Sequence, residues 1–127
     1  MPHNILEYSA NLPRLENFSE LFDGLHQTLN KVGGIKLGNC KSRARMAEDF
    51  YVGDGGSANA FIHLDVEFVQ GRSTEVKRQI GQEALDLLKQ YYADHLNDDL
   101  QITVNIRDIS IEFYFKYPEG SLNYQKP

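Results

Sequence analysis

Residues 62–68, Ile62-His63-Leu64-Asp65-Val66-Glu67-Phe68, alternate apolar and polar side chains within a run that extends from about 59 to 69. Alternation with a period of two is typical of a half-buried β-strand, because successive side chains point to opposite faces. Residues 3–8, at the start of the chain, have the same extended character. The pattern therefore predicts two strands whose starts lie about sixty positions apart.

A helical pattern follows each of these strands. After the first strand, Asn11 can cap a helix that Pro13 opens, and Gly33-Gly34 ends it. After the second, either Ser73 or Thr74 can cap the helix. Both helices have one apolar face at three-four spacing, formed by Leu15, Phe18, Phe22, Leu25, Leu29 and Val32 in the first and by Val76, Ile80, Ala84, Leu87 and Tyr91 in the second.

Each helix leads into a further extended segment. The first runs from about Leu37 to Val52 and ends in the turn 53–56, and the second carries Leu100, Ile102, Val104 and Ile106 on one side. A β-rich run, 109–117, and a polar tail follow.

Strand-helix-strand thus occurs twice, and a crossover helix of this length joins parallel strands. We predict a single domain over residues 1–127 of the α+β class. It is a two-layer sandwich with a double β-α-β pseudo-repeat, a four-stranded mixed sheet and two helices on one face. The other face needs a cover, and copies of the chain are the natural one, so we expect a homo-oligomer.

Composition excludes several classes of protein. The chain has 127 residues, 41% hydrophobic and 24% charged, and a net charge of −5, which argues against a general nucleic-acid binder. The single cysteine rules out an internal disulfide and fits a reducing compartment. No stretch approaches the apolar length of a membrane span and no leader is present, so we expect a cytoplasmic protein.

The chain starts Met1-Pro2-His3. A small second residue is the usual signal for removal of the initiator methionine, which would make Pro2 the N-terminus. Its secondary amine, fixed on the first strand and beside cations, would have a lowered pKa and could act as a general base. With Met1 attached, the Pro2 nitrogen is an amide and has no basicity. Met-Pro starts also occur in proteins without N-terminal chemistry.

Two cationic clusters run against the acidic balance of the chain. Lys41, Arg43 and Arg45 alternate in an extended segment and so share one face, which suits an anion or else protects an edge strand from aggregation. Arg72 and Ser73 stand where a strand ends and a helix begins. A helix start with a guanidinium can bind a carboxylate, although it can equally be a routine helix start with an exposed arginine.

A metal site is disfavoured. His63, Asp65 and Glu67 share the polar face of one strand, but three residues in line on a strand do not close around a metal ion. Solvation of these side chains, or pairing across a subunit interface, is the preferred interpretation. His3, His26 and His95 have no ligand spacing.

Taken together, these residues resemble a known family. Met1-Pro2-His3 with Glu7, Lys41-Ser42-Arg43-Ala44, Gly71-Arg72-Ser73 and Leu122-Asn123-Tyr124 are similar to the 5-carboxymethyl-2-hydroxymuconate isomerases of the tautomerase superfamily. The similarity spans nearly the whole chain. Lys41 stands where the family pattern is expected to have arginine, and Arg45 where histidine is expected; lysine keeps the charge but loses the bidentate fork.

The resemblance implies a homotrimeric cytoplasmic enzyme of aromatic-acid catabolism that acts on a dicarboxylate or tricarboxylate without cofactor or metal. By this resemblance Pro2 is the general base of a 1,3- or 1,5-keto-enol tautomerisation, and Arg72 and Arg43 hold substrate carboxylates and stabilise the enolate. Lys41, Arg45 and Ser73 complete the expected substrate-binding set. No nucleic acid or membrane partner is expected.

A different class of function fits the same residues. A non-catalytic trimeric protein on the tautomerase scaffold could bind a small anion through the cationic clusters, with Pro2 incidental, since a fold does not fix a function.

Overall fold

Two β-α-β units form one four-stranded sheet in the computed structural model, which describes residues 1–118. The first unit has β1 (His3–Ser9), α1 (Phe18–Gly33) and β2 (Lys41–Ala47), and the second has β3 (Ala60–Val69), α2 (Thr74–Tyr91) and β4 (Leu100–Ile109). The strand order is β2-β1-β3-β4. β1 and β3 are antiparallel in the centre, and β2 and β4 are their parallel outer neighbours. The predicted α+β architecture is confirmed.

The core lies between the two helices and one face of the sheet. Leu6 of β1 and Leu64 of β3 are register partners, and both are 0% exposed. Leu25 of α1 and Ile80 of α2 are buried in the same cluster. Full burial of such a side chain contributes about 1.5–3 kcal/mol, so this two-layer contact supplies most of the apolar stabilisation. No helix in the described part of the chain is long and apolar enough to cross a membrane.

The first helix begins at Phe18, so the predicted start at Asn11 and Pro13 is wrong. The Asn11 side-chain amide donates instead to the Asn59 carbonyl at 2.8 Å, and this bond ties the loop before α1 to the start of β3. The predicted end is confirmed. Gly34 has a φ of +66°, and its N–H donates to the Asn30 carbonyl at 3.1 Å.

Two predicted extended stretches are shorter in the structure. Within 37–52 only Lys41–Ala47 forms a strand, and Leu37–Asn39 is a 3₁₀ turn. The β-rich run 109–117 is not a strand beyond Ile109. The Phe113 N–H donates to the Ser110 carbonyl at 3.2 Å, which turns the chain away from the sheet edge.

The sheet face away from the helices is polar, which changes the argument for an oligomer. Lys41 and Arg43 lie on this face, as do His63, Asp65 and other polar side chains, and a sheet can present such a face to water. Among the described residues, three large exposed aromatic side chains lie close together in sequence in the segment after β4. Phe113, Phe115 and Tyr117 there are 74%, 88% and 94% exposed. A row of large exposed aromatic side chains marks a contact surface.

We expect the chain to assemble as a trimer through this aromatic segment. Replacing Phe113 and Phe115 together with serine should convert the trimer to monomers, because the apolar contact is lost while the core is untouched. Analytical ultracentrifugation measures the change. Tyr51→Ser is the control, since Tyr51 is 79% exposed in the loop between β2 and β3. A wild-type chain that sediments as a monomer at micromolar concentration contradicts the expectation.

Candidate active site

Pro2 lies at the end of the sheet where three segments of the chain meet. His3 pairs in register with Lys41 of β2 and with Glu67 of β3. The start of β1 is therefore beside the start of β2 and the end of β3. The Lys41 N–H donates to the Pro2 carbonyl at 3.0 Å, and Pro2 is buried. Pro2 directly precedes β1, and this backbone hydrogen bond holds it against the start of β2.

Met1 is buried in the hydrophobic core beside the end of β3. Its side chain is only 2% exposed, and the Val69 N–H donates to Met1 Sδ at 3.1 Å. Burial, followed by contact with Lys41 and the charge of Lys116, lowers the pKa of the Met1 amine to about 5. Burial and the neighbouring cations thus favour the neutral form of the Met1 amine.

A cleft of about 390 Å³ opens beside Lys41. A somewhat larger groove, of about 450 Å³, lies between α2 and β4, but its lining includes neither Pro2 nor Lys41 nor Arg72. The lining of the smaller cleft also lacks Pro2 and Arg72, but it includes Lys41, whose backbone N–H contacts Pro2, and this contact makes it the better candidate. It is lined by Gly38, Asn39, Lys41, Tyr114, Phe115, Lys116, Tyr117 and Pro118.

Arg72 lies at the same end of the sheet as Pro2. Its Nε donates to the Gly33 carbonyl at 3.1 Å and its Nη1 to the Val69 carbonyl at 3.4 Å. The guanidinium also lies over the ring of Phe68, with Cζ 5.8 Å from the ring centroid. These contacts hold the guanidinium in one orientation beside Val69, the residue whose N–H contacts Met1. Burial lowers the pKa of Arg72.

The β2 cations lie at increasing distance from Pro2. Lys41 is beside it, and Lys41 Nζ donates to the Asn39 carbonyl at 2.9 Å. Arg43 follows on the open face, where its Nη1 is 3.3 Å from His3 Nδ1. Arg45 pairs with Glu7, roughly 13 Å along the strand from Lys41 at the usual rise per residue. Within one chain, the structure does not bring Arg45 to Pro2.

Ser73 caps α2. Its hydroxyl accepts a hydrogen bond from the Val76 N–H at 3.2 Å, which is one of the two caps that the sequence offered. The site role that the resemblance implies for Ser73 stays a prediction.

Sequence reasoning missed two residues of this end, His3 and Tyr114. His3 Nε2 and Tyr114 Oη are 2.9 Å apart, and the two rings meet edge to face. Burial, then the charges of the N-terminal amine, Arg43 and Lys41, lower the pKa of His3. The position of His3 directly after Pro2 is the one feature of the sequence that could have indicated that His3 belongs to the site.

The polar side chains of β3, His63, Asp65 and Glu67, contact one another or side chains of β4. His63 Nδ1 lies 2.6 Å from Thr103 Oγ1, and His63 Nε2 lies 3.1 Å from Asp65 Oδ1. Arg107 approaches Asp65 and Glu67 at 4.0 and 3.9 Å. Within residues 1–118, no group of three or more His, Cys, Asp or Glu side chains is arranged to hold a metal ion. Leu122-Asn123-Tyr124 lies outside the described residues.

A double β-α-β sheet with a proline at the head of β1 and cations around it defines a protein of the tautomerase class. A sequence profile of the 5-carboxymethyl-2-hydroxymuconate isomerases matches residues 2–119. The chain belongs to this family, and it is therefore an isomerase of the tautomerase superfamily.

Individual relatives agree with the profile. The chain is 26% identical over 126 residues to the 5-carboxymethyl-2-hydroxymuconate Delta-isomerase of Escherichia coli, which covers 91% of this chain and all of that protein. The crystal structure of a 5-carboxymethyl-2-hydroxymuconate isomerase from Deinococcus radiodurans R1 superposes with a TM-score of 0.81 at 28% identity, over 91% of this chain and 87% of that one. A fused 4-OT described as a symmetric trimer shares the fold, with a TM-score of 0.67 at 14% identity over 94% of both chains.

We expect Ser73→Ala to lower the free energy of unfolding by about 1 kcal/mol, because the Val76 N–H loses its acceptor. Ser73→Asn should restore most of it, since an asparagine side chain also caps. Urea denaturation measures both variants, with Ser19→Ala on the exposed first turn of α1 as the control. Unchanged stability in Ser73→Ala would show that the cap contributes nothing.

Proposed function

We propose that this chain, after loss of Met1, catalyses a 1,3- or 1,5-keto-enol tautomerisation of a 2-hydroxymuconate-type polycarboxylate, with Pro2 as the general base. The observation that carries the proposal is the position of Pro2, which is buried beside Lys41 and accepts a hydrogen bond from the Lys41 N–H at its carbonyl, 3.0 Å away. Membership of the isomerase family and the names of the relatives support this substrate class.

The proposed reaction moves one proton and leaves the enzyme unchanged. The neutral secondary amine of Pro2 takes a proton from the substrate and becomes charged. The electron pair released spreads over the conjugated system and places negative charge on an oxygen. The protonated amine then returns the proton, which came from the enol hydroxyl, to a carbon of the conjugated system, and the enol oxygen becomes a carbonyl. A base of lowered pKa suits this task, because it is unprotonated at neutral pH and its conjugate acid gives the proton back readily.

Cations at the site stabilise the charge that develops. Lys41 and Lys116 line the cleft, and Arg72 is held at the end of β3. Arg43 uses Nη1 for His3 and can offer its remaining N–H groups to a second carboxylate. Such preorganised charge in a partly dehydrated site is the largest rate term in many enzymes. We propose a trimer as the working form, in which a neighbouring chain could bring Arg45 or other cations to this cleft.

Pro2→Ala should lower kcat/KM by on the order of 10²-fold or more, because alanine leaves a primary amine of different basicity and freedom at the base position. The measurement is an ultraviolet assay of ketonisation on a panel of 2-hydroxymuconate-like acids. Mass analysis of the N-terminus confirms that Met1 is absent from both proteins.

The inhibition constant of a non-reacting dicarboxylate is the matched control for Pro2→Ala, and it should change little because the cations remain. Wild-type turnover in the processed variant would overturn the proline-base mechanism. A wild-type protein that binds the dicarboxylate and turns over no member of the panel would favour the anion-binding alternative.

The pH dependence of kcat/KM gives a second test. Activity needs the unprotonated amine, so kcat/KM should fall as pH falls through the pKa of Pro2, at a pH below the value of about 8 for an ordinary α-amino group. Lys41→Met should shift this acid limb to higher pH, because loss of a neighbouring positive charge makes the amine easier to protonate.

Lys89→Met is the control for the pH experiment, since Lys89 is exposed in the last turn of α2 and carries the same charge. Its acid limb should coincide with that of the wild type. An acid limb at or above pH 8 in the wild type, or one that Lys41→Met leaves in place, contradicts the proposed electrostatics.

A further inference from the structure

Three side chains that no local motif connects form a continuous chain of hydrogen bonds beside Pro2. Arg43 Nη1 is 3.3 Å from His3 Nδ1, and His3 Nε2 is 2.9 Å from Tyr114 Oη. Arg43 comes from β2, His3 from β1, and Tyr114 from the segment after β4. The contact between His3 and Tyr114 joins positions that are 111 residues apart.

Chemistry fixes the direction of every bond in this chain. A guanidinium can only donate, so His3 Nδ1 must be the acceptor and carries no hydrogen. In the neutral ring the hydrogen is then on Nε2, which donates to Tyr114 Oη. Burial and the neighbouring cations lower the pKa of His3, which keeps the ring neutral. Tyr114 Oη is the acceptor in this bond, so its own hydrogen points away from His3.

The Tyr114 hydroxyl is placed to use that hydrogen at the candidate site. Tyr114 lines the same cleft as Lys41 and Lys116, and its ring packs against the hydrophobic core. A half-buried ring packed in this way holds the hydroxyl in place better than an exposed one. His3, the middle member of this chain of bonds, is the residue that directly follows Pro2 and begins β1.

We infer that the Tyr114 O–H donates a hydrogen bond to the substrate oxygen on which negative charge develops, with His3 as a positioning residue and Arg43 fixing its tautomer. The inference rests on the proposed function. Pro2 takes the proton of the enol hydroxyl and returns it to a carbon, the electron pair rests on the oxygen until that carbon is protonated and the C=O bond forms, and Tyr114 keeps its proton throughout. A donor aimed at a developing oxyanion is worth about 10²–10³ in kcat.

Tyr114→Phe is the first test, because it removes the O–H and keeps the ring. We expect kcat to fall by about 10²-fold with KM little changed, since the bond strengthens only as charge develops. Tyr51→Phe is the matched control, because the exposed Tyr51 hydroxyl donates to the Asp54 carbonyl far along the chain from Pro2. A Tyr114→Phe enzyme with wild-type kcat overturns the inference.

His3 tests the positioning role separately. His3→Ala should lower kcat about as much as Tyr114→Phe, and the double variant should be little worse than either, since both act through one bond. His3→Gln should restore part of the loss, because its amide N–H can replace Nε2–H. Multiplicative losses in the double variant, or no rescue by glutamine, overturn the link from His3 to Tyr114.

Pro2→Ala separates this inference from the proposed function. If processed Pro2→Ala has wild-type turnover, the proposed function fails as a whole. If Pro2→Ala is inactive while Tyr114→Phe has wild-type turnover, only the role of Tyr114 fails. Ultracentrifugation and thermal melting of each variant show whether a loss of kcat comes from a folded, assembled enzyme, and a loss explained by unfolding counts against the inference.

Discussion

The antiparallel pairing of β1 with β3 is the constraint on which the rest of the molecule depends. Its register, from His3–Glu67 to Tyr8–Ile62, buries Leu6 against the helices together with Leu64. A slip of one residue would turn the apolar side chains of a strand to the polar face. The same register places Pro2 at the end of β3, just before Arg72. Core packing and the position of the proposed base are therefore specified by one set of contacts.

The end of the sheet that holds Pro2 carries the positive side chains Lys41 and Arg72, although the net charge of the chain is −5. Backbone carbonyls hold the cations: Asn39 accepts from Lys41, and Gly33 and Val69 accept from Arg72. A carbonyl that accepts from a cation fixes the orientation of that side chain. On β3 the carboxylates of Asp65 and Glu67 face Arg107 instead. The net negative charge of the chain and the cations at this end of the sheet therefore lie in different places, as the proposed function requires.

Periodicity in the sequence predicted the strands and part of each helical face, because the sheet and helix periods follow from which side chains are buried. It did not include Leu21 and Leu88, which are both 0% exposed. It failed at the start of α1, since the capping potential of Asn11 is used by a long-range bond to Asn59. It also failed for His3 and Tyr114. Their contact depends on where the segment after β4 returns to β1, and no spacing within either segment encodes that return.

The buried Met1 shows what the proposed chemistry costs the fold. A fully buried side chain of this size contributes about 1.5–3 kcal/mol, and Met1 also gives the Val69 N–H a sulfur acceptor. The proposed function requires that both be given up, so the processed chain is less well packed at Pro2 than elsewhere. Enzymes commonly sacrifice stability at the active site. Under the proposed function, we expect a substrate that fills the space left by Met1 to recover part of this loss on binding, because binding energy can offset a local cost at the active site.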